Sequence, residues 1–306
     1  MNKNSTEIKT HFLKKANFEQ KFSEIINKIN NSSSSFFTVE EQLQIVEDLA
    51  SFPLGQYILV NKGSNGLWTD YLISPQEYVK EGMQPTYSLI ENFLLFYSPT
   101  VIAQREIFKL SKKVANNLLE DGKKFASIPC GLMRDLLTLD FKQHINVSLV
   151  GIDADPESII LATELAFKLN VQNVSFFEKD AWNLDFDNEF HFINSIGLNV
   201  YEPDREAVIE LYRQLHKALK PNGILFTCVL TWPPYFNKSH SEWKINKIPK
   251  FCLRLEELIF KEILDLKFLN FRKLNEIESD FKKAGFSKVE IYQDSLCVYP
   301  AVLATK

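Results

Sequence analysis

The sequence predicts an α/β protein: a doubly wound sheet of seven strands, parallel except for an antiparallel final strand, behind a mostly helical N-terminal cap. Three observations carry this reading. From Lys124 onward, short apolar runs alternate with helical patterns, the spacing of a parallel sheet covered on both faces. The last two apolar runs, 287–293 and 296–305, are separated only by Asp294-Ser295. That is too short for the crossover a parallel pair needs, so the two are antiparallel. Before residue 120 the apolar periodicity is helical.

Composition bounds the function. With 306 residues, 45% hydrophobic and 24% charged, the chain can bury a full core as one large domain or two small ones. Its 10 glycines are about half the usual ~7% share, which excludes collagen-like and Gly-rich low-complexity architectures. A net charge of −4 and a pI near 5.8 argue against a broad nucleic-acid surface. No apolar run approaches the ~18 residues of a membrane span; Phe93-Leu94-Leu95-Phe96-Tyr97 is typical of the best available. The first ten residues are polar, with no hydrophobic signal core. Cys130, Cys228, Cys252 and Cys297 stand far apart, without a Cys-x-x-Cys pair. They fit a reducing cytosol better than a disulfide framework or a zinc cluster. The expectation is a soluble cytoplasmic protein with no metal site.

The elements follow in order. In the cap, 1–98, Phe12, Ala16, Phe22, Ile25, Ile26 and Ile29 recur at helical spacing before a polar joint at 31–35. Thr38 with Glu41 reads as a capping box opening a second helix towards Ser51. Turn signals at Lys62-Gly63 and Asn65-Gly66 interrupt 57–70, and a helical block at 87–97 stops at Ser98-Pro99. The second domain, 99–306, opens with a helix over 99–120. Strands are predicted at 124–129, 147–153, 173–178, 190–195 and 224–230, with helices at 131–138, 156–169 and 204–219 between them. Asp155 is the N-cap of the second of these helices, and Pro156 its first residue. An insertion over 231–271 precedes a last helix ending at Ala284-Gly285.

Ligands of such a sheet bind at the carboxyl ends of the strands, near the switch point. The first strand ends in Ile128-Pro129-Cys130-Gly131-Leu132-Met133-Arg134-Asp135. Gly131 permits a tight turn and close backbone approach, and the following helix start offers free N–H groups. Asp153 closes the second strand 22 residues after Gly131, where a carboxylate suits the paired hydroxyls of a ribose. The third strand ends near Asp180-Ala181-Trp182. There a carboxylate can accept from an adenine amino group, a backbone N–H can donate to the ring, and an indole can stack.

These residues resemble the class I S-adenosylmethionine-dependent methyltransferases over roughly 98–306. The matching stretches are Ser127-Ile128-Pro129-Cys130-Gly131-Leu132-Met133, Leu149-Val150-Gly151-Ile152-Asp153 with Asp155-Pro156, Phe177-Glu178-Lys179-Asp180-Ala181, and 215–230 with its Lys-Pro-Asn-Gly turn. The antiparallel final pair is a hallmark of that Rossmann-like fold. The resemblance implies S-adenosylmethionine as cofactor, held by Pro129, Cys130, Gly131, Arg134, Asp153, Ala154, Asp180, Ala181, Trp182 and Ser195. The chain also departs from the family's first motif, acidic-hydrophobe-Gly-x-Gly-x-Gly: Ser127 replaces the acid, Pro129 the first glycine and Met133 the third. Arg134, Asp135 or the N-terminal segment then substitutes for the acid at the methionine end, and Gln104, Arg105 and Glu106 are placed to reach a cofactor carboxylate.

The same resemblance implies in-line methyl transfer to a small molecule. The stretch 194–201, Asn-Ser-Ile-Gly-Leu-Asn-Val-Tyr, follows the fourth strand and should face the reactive methyl. It lacks the Asp/Asn-Pro-Pro-Tyr/Phe signature of base-amine methylation, and Trp232-Pro233-Pro234-Tyr235 falls after the fifth strand instead. Tyr201 and His240 are the candidate bases if the acceptor must lose a proton. Trp232, Tyr235, His240 and Trp243 in the insertion form either a substrate wall or packing, and Trp68 and Tyr71 either an opposing lid or core. Cys130 reads as a packing residue, His191 as a core histidine and His216 as a cation at a helix C-terminus. The basic residues of 244–250 read as a solvated face. Two alternatives stand beside the methyltransferase: a non-catalytic binding protein on the same fold, and a nicotinamide-dependent oxidoreductase. The latter lacks Gly-x-Gly-x-x-Gly and leaves the final strand pair unexplained.

Overall fold

The computed structural model describes residues 15–31, 36–80, 82–143, 146–266 and 270–306. Phe12 and most of the polar joint at 31–35 lie outside the described residues. The chain forms two compact units. One comprises the described parts of Met1–Ser64, Val79–Ser98 and Lys250–Lys267; the other comprises Asn65–Tyr78, Pro99–Pro249 and Phe268–Lys306.

The first unit is helical. It contains α1 (Lys15–Asn30), α2 (Val39–Ala50) and α3 (Pro53–Asn61); α4 (Gly66–Ile73) belongs to the second unit, and α5 (Leu89–Phe96) returns to the first. The capping box is present: Thr38 Oγ1 accepts from Glu41 N at 3.2 Å, and the Glu41 carboxylate accepts from Thr38 N at 2.8 Å. Val46, Leu49, Leu54, Leu59, Ile90 and Leu95 are buried in this unit. Ser98 Oγ donates to the buried Glu256 at 2.5 Å.

The second unit is built on the sheet. Its strands are β1 (Lys124–Ser127), β2 (Ser148–Asp153), β3 (Val174–Glu178), β4 (Phe190–Ser195), β5 (Leu219–Cys228), β6 (Lys288–Tyr292) and β7 (Ala301–Thr305). Their spatial order is β3-β2-β1-β4-β5-β7-β6, with β7 antiparallel to both neighbours. The order reverses between β1 and β4, so the switch point lies at their carboxyl ends. The intervening helices are α6 (Pro99–Asn117), α7 (Arg134–Leu137), α8 (Pro156–Lys168) and α9 (Arg205–Ala218). α10 (Lys250–Glu257) runs into a π-helical turn, Leu258–Ile263, in the first unit, and α11 (Leu274–Lys283) completes the second. Phe125, Phe192, Ile193, Leu225 and Phe226 are fully buried, as central parallel strands require. Tyr212 of α9 stacks on Phe281 of α11 at 4.2 Å.

Of the boundaries that differ from the sequence reading, three change the topology or the site. β7 begins at Ala301 rather than near Leu296, so the two final strands are antiparallel but not joined by a tight two-residue turn. The Asp294 carboxylate accepts from Leu296 N at 2.9 Å and Tyr299 N at 2.7 Å, coiling 294–299 into a turn. α7 is a single turn starting at Arg134, because Gly131 (φ 47°) and Met133 (φ 57°) are left-handed. β5 begins at Leu219, upstream of the expected 224, with an irregularity in its pairing to β4 between Phe190 and Phe192.

Gly151 in β2 is fixed by packing: a Cβ there would stand 2.5 Å from the Phe176 ring and 3.1 Å from Met133 Sδ. Gly151→Ala should therefore destabilise the protein by about 1–3 kcal/mol through overpacking, read as a lowered urea midpoint at unchanged m-value.

Candidate functional site

The site grows from the loop after β1. Cys130 N donates to Ile152 O at 2.8 Å, and Gly131 N donates to Asp153 Oδ2 at 2.9 Å. The other Asp153 oxygen accepts from Asp155 N at 3.0 Å. One carboxylate thus ties the Gly131 turn to the end of β2 and to the start of α8. Burial pushes the Asp153 carboxyl up, against the lowering effect of the Asp155 and Gly131 N–H groups. A carboxylate has about four acceptor positions, so two backbone bonds leave room for ligand hydroxyls. Met133, at the position of the family's third glycine, keeps a glycine-like left-handed backbone and is buried against β2.

Arg134 is committed within the protein. Its Nε donates to Asp70 Oδ1 at 2.7 Å, its Nη2 to Asp70 Oδ2 at 2.8 Å, and its Nη1 to Glu77 Oε2 at 3.2 Å. Tyr78 Oη donates to the same Asp70 carboxylate at 2.7 Å. The guanidinium expected at the methionine end of the cofactor thus has a two-point partner already. Arg105 and Glu106 are likewise engaged: the Arg105 guanidinium donates to Leu72 O, and the Glu106 carboxylate accepts from Ser295 N and Oγ.

Asp135, the next residue, is in the opposite situation. Its carboxyl is buried and accepts a short hydrogen bond from Asn194 Nδ2, while Asn194 Oδ1 accepts from Ser111 Oγ at 2.9 Å. Burial raises its pKa to about 6, opposed by the Asn194 bond and the Leu136 N–H. Among the described residues no cationic side chain forms an ion pair with it. Ser127, at the family's acidic position, is buried at the end of β1.

The other expected residues fall around this core. Pro129 is half-buried, Ala154 is exposed and Ser195 is buried. Asp180 Oδ1 accepts from Trp182 N at 3.0 Å, so that N–H serves the loop itself. Trp182 Nε1 donates to Ala207 O at 2.9 Å and its side chain packs against the hydrophobic core, beside the buried Ala181. Burial drives the Cys130 thiol far up, which favours its packing reading. His191 Nδ1 accepts from Lys124 N at 3.0 Å within the sheet.

Tyr201 ends the short turn Asn199–Tyr201 after β4 and is 45% exposed. Asn199 braces that turn by donating to Tyr212 Oη and Cys228 O, both at 2.8 Å, and Asn270 Nδ2 donates to Asn199 O at 2.8 Å. His240 lies in the loop after β5, with Nδ1 3.1 Å from Asn237 Nδ2 and its ring edge-on to Trp232. Trp232, Phe236 and Phe271 form a continuous ring cluster there, with centroids 4.9–5.3 Å apart. Among the described residues, no group of three His, Cys, Asp or Glu side chains is placed to hold a metal.

Asp70 carries no signal in the sequence, standing 64 residues before its partner Arg134. Asn194 lies in a stretch expected to face the ligand, but its bond to Asp135 spans 59 residues and is invisible to spacing.

Residues 130–223 match the family model described as a methyltransferase domain. A possible exported protein of Bordetella parapertussis, of known structure, is 31% identical over 95% of this chain and 96% of its own, with a TM-score of 0.88. A SAM-dependent methyltransferase from Aquifex aeolicus is more distant: 16% identity, 65% of this chain, 96% of that one, TM-score 0.45. Haemonchus contortus phosphoethanolamine N-methyltransferase 2, solved with S-adenosyl-L-methionine, stands at 15%, 67%, 56% and 0.48. No curated protein matches the sequence. Residues 130–223, from the Gly131 loop into β5, thus belong to the methyltransferase-domain family, and the sheet ordered β3-β2-β1-β4-β5-β7-β6 is a Rossmann-like methyltransferase fold.

Proposed function

We propose that this protein is an active S-adenosylmethionine-dependent methyltransferase acting on a small molecule. The observation that carries the reading is the pair of carboxyl groups at the switch point. Asp153 retains acceptor capacity beside the Gly131 turn, and Asp135 is buried without a cation. A ligand with vicinal hydroxyls and an ammonium complements both.

The cofactor would supply a sulfonium-bound methyl that passes in line to an acceptor lone pair, leaving S-adenosylhomocysteine. Asp153 would accept from the ribose hydroxyls, with Pro129, Cys130, Gly131 and Ala154 lining that end. Asp180, Ala181 and Trp182 would flank the base. Asp135, held by Asn194, would accept from the α-ammonium in place of the acid lost at Ser127. Arg134 would act through Asp70 rather than on the ligand. Ser195 and the braced turn to Tyr201 would face the methyl, with Tyr201 and His240 as candidate bases. The sulfonium is a strong leaving group, so positioning and exclusion of water would carry most of the rate.

A small acceptor is supported by the absence of Asp/Asn-Pro-Pro-Tyr/Phe after β4 and by the acidic net charge. A cytoplasmic setting is supported by the free cysteines. Among the described residues no helix is long and apolar enough to cross a membrane.

Calorimetric titration with S-adenosylhomocysteine should show micromolar binding, with NAD giving none. Asp153→Ala should weaken it at least about tenfold, equivalent to ~1.4 kcal/mol. Absence of binding to the intact protein would sink the cofactor assignment. Once an acceptor is found, full turnover by both Tyr201→Phe and His240→Ala would remove the proposed bases.

Asp135 gives a prediction with two signs. Its raised pKa means the fold favours the neutral acid. That stability is fully present below pH 3.8 and is lost as pH rises through about 6. Asp135→Asn should therefore be more stable than the parent at pH 8, by on the order of 2 kcal/mol, with the gap closing towards pH 4. The same variant should bind S-adenosylhomocysteine more weakly, and parental affinity should fall below pH 6. A variant that bound the ligand undiminished at pH 8 would exclude the carboxylate from the ammonium role.

A further inference from the structure

Residues 65–78 are an excursion of the chain. They belong to the sheet unit, whereas the segments before and after them, Met1–Ser64 and Val79–Ser98, belong to the helical one. Helix α4 meets the Gly131 turn backbone to backbone. A Cβ on Gly66 would stand 2.8 Å from Gly131 Cα and 2.6 Å from Ser158 Oγ, and a Cβ on Gly131 would stand 3.3 Å from Gly66 Cα. Two glycines are needed for this crossing, because neither backbone can recede without moving its helix or its loop.

The rest of the excursion is tied down by charge. Asp70 holds Arg134 in a two-point ion pair and accepts from Tyr78, Glu77 accepts from the same guanidinium, and Arg105 closes the far end of α4 at Leu72 O. Asp70 is 7% and Arg134 17% exposed, so the pair is largely desolvated. Removing one partner of such a pair leaves an uncompensated buried charge. Arg134 is the first residue of α7 and Asp135 the second. That single turn is held by Asp70 through Arg134 and by Asn194 through Asp135.

The geometry points to residues 65–78 as a clamp that sets the Gly131 turn and Asp135, with Gly66 and Asp70 as positioning residues for cofactor binding. The inference rests on the methyltransferase reading for its ligand. The core fold alone would then be insufficient for tight binding, because part of the site's rigidity comes from the N-terminal segment.

Hydrogen exchange on the ligand-free protein tests the clamp without the cofactor. Asp70→Asn and Gly66→Ala should each raise exchange in 129–137 while leaving β4 and β5 protected. Each should weaken S-adenosylhomocysteine binding at least tenfold, and Asp70→Glu should recover part of that loss. In the parent, ligand should increase protection of 65–78. If these variants do not fold, Glu77→Gln should show the same changes on a smaller scale. Unchanged exchange in 129–137 with unchanged affinity would overturn the clamp. So would a uniform loss of protection over the whole sheet, which marks a general stability role. A parent protein that binds no S-adenosylhomocysteine overturns the cofactor reading, while exchange in 129–137 still decides the clamp.

Discussion

The bond from Gly131 N–H to the Asp153 carboxylate is the constraint on which the site depends. It joins the turn after β1 to the end of β2, while Cys130 N–H on Ile152 O secures the preceding residue. A backbone donor and a charged acceptor make a stronger bond than a neutral pair. The second Asp153 oxygen passes the constraint on to Asp155, which caps α8 through Glu157 N and Ser158 N. One side chain therefore orders the turn, the strand end and the helix start. Such fixed positioning is what a reaction driven by alignment needs.

Next to this rigid frame, charge is distributed unevenly. Arg134 and Asp135 are sequence neighbours, yet they do not compensate each other: Arg134 pairs with Asp70 and Glu77, while Asp135 relies on Asn194. A buried carboxyl supported by an amide side chain and backbone N–H groups, with no cation, is costly to ionise. Folds retain such groups chiefly where function requires them. The cost here falls on the unliganded protein, and a cationic ligand would offset it.

The fold was legible because its signals are local. Asp155-Pro156, Thr38 with Glu41 and the alternation from Lys124 onward each specify an element within a few residues, and each element is present. The antiparallel ending was legible for a different reason, since two apolar runs so close in sequence have no room for a crossover. Its details were not: Asp294 turns apolar residues 296–300 into a buried loop, and apolarity alone does not distinguish loop from strand. The site was half legible. Asp153 and Gly131 announce themselves by spacing, but the hydrogen bond that joins them is seen only in the fold. Arg134 looked like a ligand group because nothing local identifies Asp70 as its partner. Trp182 looked like a stacking platform, but its indole N–H is anchored on Ala207 O. Long-range pairs are where a linear reading runs out.

The path of the chain has one consequence for how this molecule could be divided. By sequence alone Pro99 is the natural place to cut, since it opens α6 and the sheet-bearing part of the chain. A chain starting there would keep all seven strands but lose Asp70, Glu77 and Tyr78 together. Arg134 would then be a cation stripped of both its carboxylates, next to the loop that defines the site. The two units are interleaved in sequence, so neither can be inherited, transplanted or expressed as an uninterrupted piece.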